Sequence, residues 1–511
     1  MTDGPAHAGW DDIVVGAGSA GAVLANRLTA RPDRRVLLLE AGADSTEPER
    51  LSTALGMPVL SGHNWEFTAR ISPGDRVWPY RVGKVVGGSS AVNGAIALRA
   101  LPADFDRWAA GSLDEWAWPH VLPYFARLET DTDRDGPAHG DSGPLPISRP
   151  DPDRLDPLAD AFRSACRDRG LPALADLNEG GRVGVGLVPS NAVRQRRVST
   201  ARAYLEPARR RPNLVLRDRC HTLRVLVEGG RAVGVEVRES GETKRWYADR
   251  ITLCAGALNT PVILQRSGIG DADRLRRLGV RPVADLPGVG HNLSEHVALG
   301  IWTAPRSGAW RAGAPWHQVM ARVASDGTEP DLNLFLANNV TTAGMPGLGD
   351  LLRGRTAACV SAMLMRPTSR GSVHIRDTGP DTAPEIDLSL AATGEDVTRL
   401  MHGVRLAWSL LCRPPIAPLV GRPLLWTERM IGDDTLLAGA IRRFATPMYH
   451  PTGTARMGTD SDPLAVADQR CRVRAVTGLR VADASVMPSI PSMPTNLACV
   501  MLAERIAEWM A

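Results

Sequence analysis

The sequence predicts an α/β fold, α+β when the whole chain is counted, in which a parallel sheet is interrupted by an inserted domain carrying an antiparallel sheet. Three observations predict it. An apolar run near the N-terminus leads through a glycine-rich turn into an apolar-periodic stretch and a second apolar run. Further short apolar runs of the same kind lie far apart, at 214–216, 233–237, 251–253 and 479–483. Between about 300 and 440 the texture changes to alternating polar and apolar residues punctuated by Gly and Pro, the pattern of half-buried antiparallel strands.

Taken in order, Ile13-Val14-Val15 is a strand, Gly16-Ala17-Gly18-Ser19-Ala20-Gly21 a turn, 22–28 a helix and 36–39 a strand closed by Glu40. A parallel crossover of that length is the βαβ unit of a Rossmann-type dinucleotide-binding domain. Residues 214–216, 233–237 and 251–253 add strands, and Ala255-Gly256 opens a helix through Pro261 to Arg266. Near the C-terminus 479–483 is another buried strand, followed by a helix over 496–510 with Glu504, Arg505 and Glu508 on its polar side. In the middle, 331–335, 372–375 and 385–388 alternate as antiparallel strands, and the Asp-, Gly- and Pro-rich stretch 130–150 is a loop. The expected division is a discontinuous nucleotide-binding domain from 1–150, 195–300 and 441–511, and a substrate domain from 151–194 and 301–440.

Composition narrows the function classes. A chain of 511 residues exceeds one ordinary core. Sixty Lys and Arg against 56 Asp and Glu leave a net charge of +4, too small and too scattered for a nucleic-acid partner. Seven isolated cysteines, with no C-x-x-C, form neither a disulfide framework nor a zinc knuckle, and no metal site is expected. With no basic-then-apolar leader and no long apolar run, the expected setting is the cytoplasm, without a membrane span.

Each glycine of the fingerprint has its own task. Gly16 permits the sharp turn, Gly18 lets backbone approach a pyrophosphate, and Gly21 packs helix on strand. The helix N-terminus then offers free N–H groups to the phosphates, and Glu40 is placed to accept from ribose hydroxyls. This motif alone does not separate FAD from NAD. Four further motifs do: Gly83-Lys-Val-Val-Gly87-Gly88-Ser89-Ser90-Ala-Val-Asn93-Gly94; Ala255-Gly256 to Pro261 with Ser267-Gly268-Ile-Gly270; His450-Pro-Thr-Gly-Thr-Ala-Arg-Met-Gly458; and Gly478 through Asp483-Ala484 to Pro488. In order and over almost the whole chain, they resemble the glucose-methanol-choline (GMC) oxidoreductase family, in look most similar to its hydroxymethylfurfural, aryl-alcohol and choline-type members.

The resemblance implies FAD held by Gly16, Gly18, Ser19, Gly21, Glu40 and Ala41 on the first unit, and by Val86, Gly88, Ser90 and Asn93 on the second motif. It further implies contacts from Thr222, Ala255, Tyr449, Asp483, Ala484 and Thr495. Relatives that bind flavin covalently do so through a histidine after the glycine-serine turn. Ala91 and Val92 stand there, so FAD is expected to be non-covalent. The implied reaction is oxidation of a primary or secondary alcohol, with oxygen or another acceptor reoxidising the flavin.

An alcohol loses a hydride from carbon and a proton from oxygen, and an imidazole suits the proton because its pKa lies near neutrality. His450, which opens the third of these motifs, is the candidate base. His296, in the stretch Gly288 to His296, is expected to be structural. The family's second active-site residue, His or Asn, falls nine positions before the alanine of its A-E-[KR] tail. Counting back from Ala503 gives Pro494, which has neither a side-chain donor nor an N–H. Asn496 is the substitute candidate. Pro494 also keeps open an alternative, a GMC-type lyase or decarboxylase that holds FAD without net alcohol oxidation.

Overall fold

A computed structural model describes residues 9–46, 62–71, 76–342 and 348–511. The parallel unit at its centre follows from the apolar runs. β1 (Trp10–Val15) and β2 (Val36–Leu39) flank α1 (Ser19–Leu28), and all four residues of β2 are buried, as a strand covered on both faces requires. The hairpin β3 (Asn64–Arg70) and β4 (Val77–Gly83) comes next, with α2 (Pro102–Ala110) and β5 (Gly184–Leu187) following. β6 (Leu214–Arg217), β7 (Cys220–Glu228), β8 (Arg231–Glu239) and β9 (Glu242–Leu253) complete the first half of the chain.

β9 serves two partnerships. Its first half pairs antiparallel with β8, and its second half runs parallel to β1, with Trp10 opposite Ala248 and Val15 opposite Leu253. The C-terminal strand β17 (Leu479–Val481) adds to the same end of β9. The sheet order is β6-β2-β1-β9-β8-β7 with β17 beside β9. Strands from three distant parts of the chain thus surround the glycine turn, as the sequence predicts. Helix α3 (Gly256–Arg266) follows β9 directly, and the C-terminal helix α5 (Thr495–Met510) closes the domain against α1.

The second sheet is antiparallel throughout. It consists of β10 (Val297–Thr303), β11 (Val319–Val323), β12 (Leu332–Thr341), β13 (Thr356–Leu364) and the short β16 (Thr446–Pro447), in the order β16-β10-β13-β12-β11-β5. Side chains alternate between its faces. Leu332, Leu334, Leu336, Val360 and Leu364 join one core with residues of α4 (Gly394–Leu411). Ala298, Met320, Phe335 and Met363, on the other face, join Leu98, Met365 and Met493. This face therefore packs against segments that carry the cofactor motifs.

A third sheet joins the β3–β4 hairpin to β14 (Ser372–His374) and β15 (Glu385–Asp387), with Asp387 opposite Arg70. The stretch 130–150, expected as a loop, is bracketed by two short parallel strands, Glu129–Asp131 and Leu145–Ile147. Beneath it lies a buried charge cluster. His139 Nδ1 is 3.1 Å from Glu129 and 3.2 Å from Asp131, and its Nε2 is 3.1 Å from Asp176. Arg149 pairs with Asp131 and Asp176, and Arg99 with Glu129. Three carboxylates balance two guanidiniums and one imidazolium, and hydrogen bonds to Asp131, Asp176 and Glu129 raise the His139 pKa to about 11. Among the described residues no helix is long and apolar enough to cross a membrane.

Candidate active site

Two glycine turns meet face to face at the C-terminal end of β1. Gly16 has φ +99°, and a Cβ there would lie 2.4 Å from the Cys254 carbonyl oxygen. A Cβ on Gly21 would lie 1.8 Å from Gly16 O, so helix and strand approach as only glycine allows. Gly88, at φ +51°, would place a Cβ 2.7 Å from Gly18 Cα. Gly87 N donates to Ala17 O at 2.8 Å, and Ser90 Oγ donates to Gly87 O at 2.6 Å. Val86 N donates to the carbonyl of Ala43, just beyond Ala41. The first two motifs are therefore one cradle.

Glu40 closes that cradle. Its carboxylate accepts from Ala17 N at 2.9 Å and Gly42 N at 2.8 Å, while burial pushes its pKa up to about 7. Each oxygen keeps a second lone pair for a ribose hydroxyl. The buried polar atoms without a partner among the described residues include Thr222 Oγ1 and Asn496 Nδ2. Buried polar groups are rarely left so, and both belong to segments expected to meet the cofactor. Space is open around the Gly256 Cβ position, next to Ala255. A glycine-lined cradle, a buried acid and orphaned polar atoms fit a long polar nucleotide.

The structure places the remaining expected contacts less directly. Asn93 Oδ1 accepts from Ala95 N at 2.9 Å. The Asp483 carboxylate is saturated by Gly256 N, Thr260 Oγ1, Ser485 N and Ser485 Oγ, so it acts as a tie between α3 and the C-terminal segment. Ala484 O accepts from Gly453 N at 3.0 Å, which joins that segment to the loop after His450. Thr495 begins α5, with Pro494 as its N-cap. Asn496 Oδ1 accepts from Ser19 Oγ at 2.8 Å, so Asn496 is brought to the first turn of α1.

His450 is held at several atoms. Its backbone N donates to Glu295 Oε1 and Oε2 at 2.9 and 3.0 Å. Tyr80 OH donates a short hydrogen bond to the same carboxylate, which burial raises to about 7. Tyr449 adopts φ +63°, an unfavourable region for an aromatic residue and one that clusters at functional sites. Its hydroxyl accepts from Trp78 Nε1 at 3.1 Å, and its ring lies 5.1 Å from Tyr80. The hairpin β3–β4 thus supports the histidine loop.

The His450 ring is partly exposed, and its Nδ1 lies 2.9 Å from Nδ1 of His296. His296 is fully buried, and its Nε2 lies 3.0 Å from the Pro491 carbonyl oxygen. Burial lowers the His450 pKa to about 4. Burial, and then the proximity of His450, pushes His296 well below its ordinary value. Sequence reasoning gave His296 only a structural place and passed over Glu295 and Tyr80. The adjacent acid and histidine at 295–296, in a stretch already matched to the family, were the available signal.

Comparison with known proteins shows the family. Sequence models of GMC oxidoreductases match residues 10–298 and 367–503. The chain is 38% identical to 5-(hydroxymethyl)furfural oxidase of Methylovorus sp. (strain MP688), over 98% of both chains. It is 34% identical to mitochondrial choline dehydrogenase of Mus musculus, over 97% of this chain and 88% of that one. The crystal structure of pyridoxine 4-oxidase from Mesorbium loti superposes with a TM-score of 0.90 at 32% identity, covering 98% of this chain and 99% of the other. With the nucleotide cradle in place and both halves matched, the chain belongs to the GMC oxidoreductase family and takes FAD as its cofactor.

Proposed function

We propose that this protein oxidises an alcohol to the carbonyl, with His450 taking the hydroxyl proton. The observation that carries it is the placement of that ring: His450 is half-buried and fixed through Nδ1 by His296 at 2.9 Å, and burial lowers its pKa to about 4. A neutral imidazole with one nitrogen free accepts a proton from a bound hydroxyl. FAD, when bound, supplies the hydride acceptor. The glycine turns at 16–21 and 87–88 hold its phosphates, Glu40 its ribose, and Thr222 and Asn496 pair their unsatisfied atoms with it. The bond from Ser19 supports a cofactor-side place for Asn496, in preference to the proton transfer.

The substrate we propose is a hydroxymethyl group on an aromatic or heteroaromatic ring. The hydroxymethylfurfural and pyridoxine oxidases that this chain resembles are named for such alcohols. Met363, Met365, Met493 and Phe335 pack in an apolar cluster with Ala298 of β10, the strand that begins just after His296, with Met448 at its edge. Methionine and aromatic side chains suit a flat apolar ring. Residues 151–194 and 301–440 would form the substrate side and 1–150, 195–300 and 441–511 the cofactor side, the 64–83 hairpin joining the former through its partner strands. Seven free cysteines, six of them buried, support a reducing cytoplasm.

The test is to purify the yellow protein and mix it anaerobically with furfuryl, pyridylmethyl and benzyl alcohols, and with choline. Rapid loss of the oxidised flavin band with the ring-borne alcohols supports the reading. A flavin that stays oxidised with every alcohol contradicts it, and cleavage of a cyanohydrin or an illuminated acid would establish lyase or decarboxylase chemistry instead.

A further inference from the structure

We propose that His296 is a positioning residue for this reaction, whose ring fixes the tautomer of His450 so that Nε2 is the atom that receives the alcohol proton. The proposal rests on His450 being the base. The chain of hydrogen bonds starts at a backbone carbonyl. Pro491 O has only lone pairs, so the His296 nitrogen 3.0 Å away, Nε2, must carry the hydrogen. A neutral histidine has one such hydrogen, and His296 Nδ1 is therefore a bare acceptor. The nitrogen facing it at 2.9 Å, His450 Nδ1, must then be the donor. With its single hydrogen committed there, neutral His450 presents its lone pair at Nε2.

The surroundings keep both rings neutral. His296 is fully buried, and its ring nitrogens face the Pro491 carbonyl and the His450 imidazole, with the Met365 backbone also interacting with the ring. The nearest carboxylate, Glu295, is bound to the backbone N of His450 and to the Tyr80 hydroxyl. The Tyr449 hydroxyl is taken by Trp78. No ion pair of either ring is found among the described residues. An enzyme that orients its base through an aspartate adds a negative charge that stabilises the imidazolium. Here the acceptor is neutral, so orientation comes without a rise in basicity. In the step itself the substrate O–H bond breaks and its proton forms the Nε2–H bond of His450; FAD, held by the glycine cradle, would supply the acceptor for the hydride that leaves carbon. The resulting imidazolium keeps its Nδ1–H bond to His296.

The test uses FAD-loaded enzyme and two substitutions of His296. In His296→Asn, the amide oxygen can accept from His450 Nδ1 and the amide nitrogen can donate to Pro491 O, whereas His296→Leu fills the space and does neither. Anaerobic flavin reduction at saturating alcohol is expected to stay within about fivefold of the parent in the Asn variant and to fall by about 30-fold or more in the Leu variant. KM should be little changed. ¹⁵N NMR of histidine-labelled protein, assigned by loss of the signal in His450→Ala, is expected to show His450 protonated on Nδ1. A Leu variant as fast as the parent, Asn and Leu variants equally slow with FAD content intact, or His450 protonated on Nε2 would each overturn the proposal. If the Leu variant fails to fold, the tautomer in the parent enzyme decides. Loss of activity in His450→Ala alongside an unaffected Leu variant would remove only His296, while an active His450→Ala would remove the base itself.

Discussion

At the scale of residues, the His450 ring is defined by what it lacks as much as by what it touches. Among the described residues no carboxylate pairs with its ring nitrogens, and burial holds its pKa near 4. Burial disfavours the imidazolium, so the proton-accepting form persists to lower pH than in a free histidine. The acid limb of kcat/KM for flavin reduction is therefore expected near pH 4, and a limb at 6.5 would show that the ring is solvated or paired with an acid. Glu40 acts in the other half of the site through lone pairs offered to ribose hydroxyls. Glu40→Ala removes a buried acceptor that also ties Ala17 N and Gly42 N, a loss of about 1–3 kcal/mol, so FAD affinity measured by titration of apoprotein should fall by about tenfold. Unchanged affinity would put the ribose elsewhere. The sequence made both residues legible, because each sits in a motif whose spacing has a local reason. It did not make His296 legible as a partner, because the bond to His450 spans 154 residues and only the fold closes it.

At the scale of elements, the cofactor cradle is two turns pressed together. Gly18 and Gly88 meet where a Cβ on Gly88 would lie 2.7 Å from Gly18 Cα, and Gly88 is in addition at a positive φ. Gly88→Ala should cost about 1–2 kcal/mol in backbone conformation, and more in displacing the turn from Gly18. The expected result is a folded protein that purifies with little flavin; full FAD content would mean that the turns can part without loss. At the start of α5, Pro494 occupies the N-cap with no side-chain hydrogen bond. Asn is a favoured N-cap residue, so Pro494→Asn should leave the helix intact and, by supplying the missing donor, raise the rate of flavin reduction by a generic alcohol. No gain would show that the site grips the substrate oxygen by other means. Pro494 was visible by counting along the sequence. The support of the His450 loop by the 64–83 hairpin was not, since the pairing of that hairpin with 372–387 depends on register set in three dimensions.

At the scale of the whole molecule, the parallel unit, its late-arriving strands and the antiparallel insert were legible because side-chain periodicity reports burial directly. The cluster around His139 was not, since its members at 99, 129, 131, 139, 149 and 176 are charged residues that look like surface until the fold gathers them. Its contribution to stability has a defined pH dependence. The folded pKa of His139 is raised to about 11, against about 6.5 in an unfolded chain. Below pH 6.5 both states hold the proton and the contribution is complete. Above it the unfolded state releases the proton first, and the contribution declines by about 1.4 kcal/mol per pH unit until the folded group titrates. The Tm difference between parent and His139→Gln should therefore be largest near pH 6 and narrow towards pH 10; a constant gap would mean that the ring is neutral. The account as a whole stands on His450, and the most direct measurement is anaerobic stopped-flow reduction of bound FAD by an aryl carbinol in the parent and in His450→Ala. A rate lower by about 10²-fold or more, with FAD still bound at full stoichiometry, is the predicted result. An unchanged rate would contradict it.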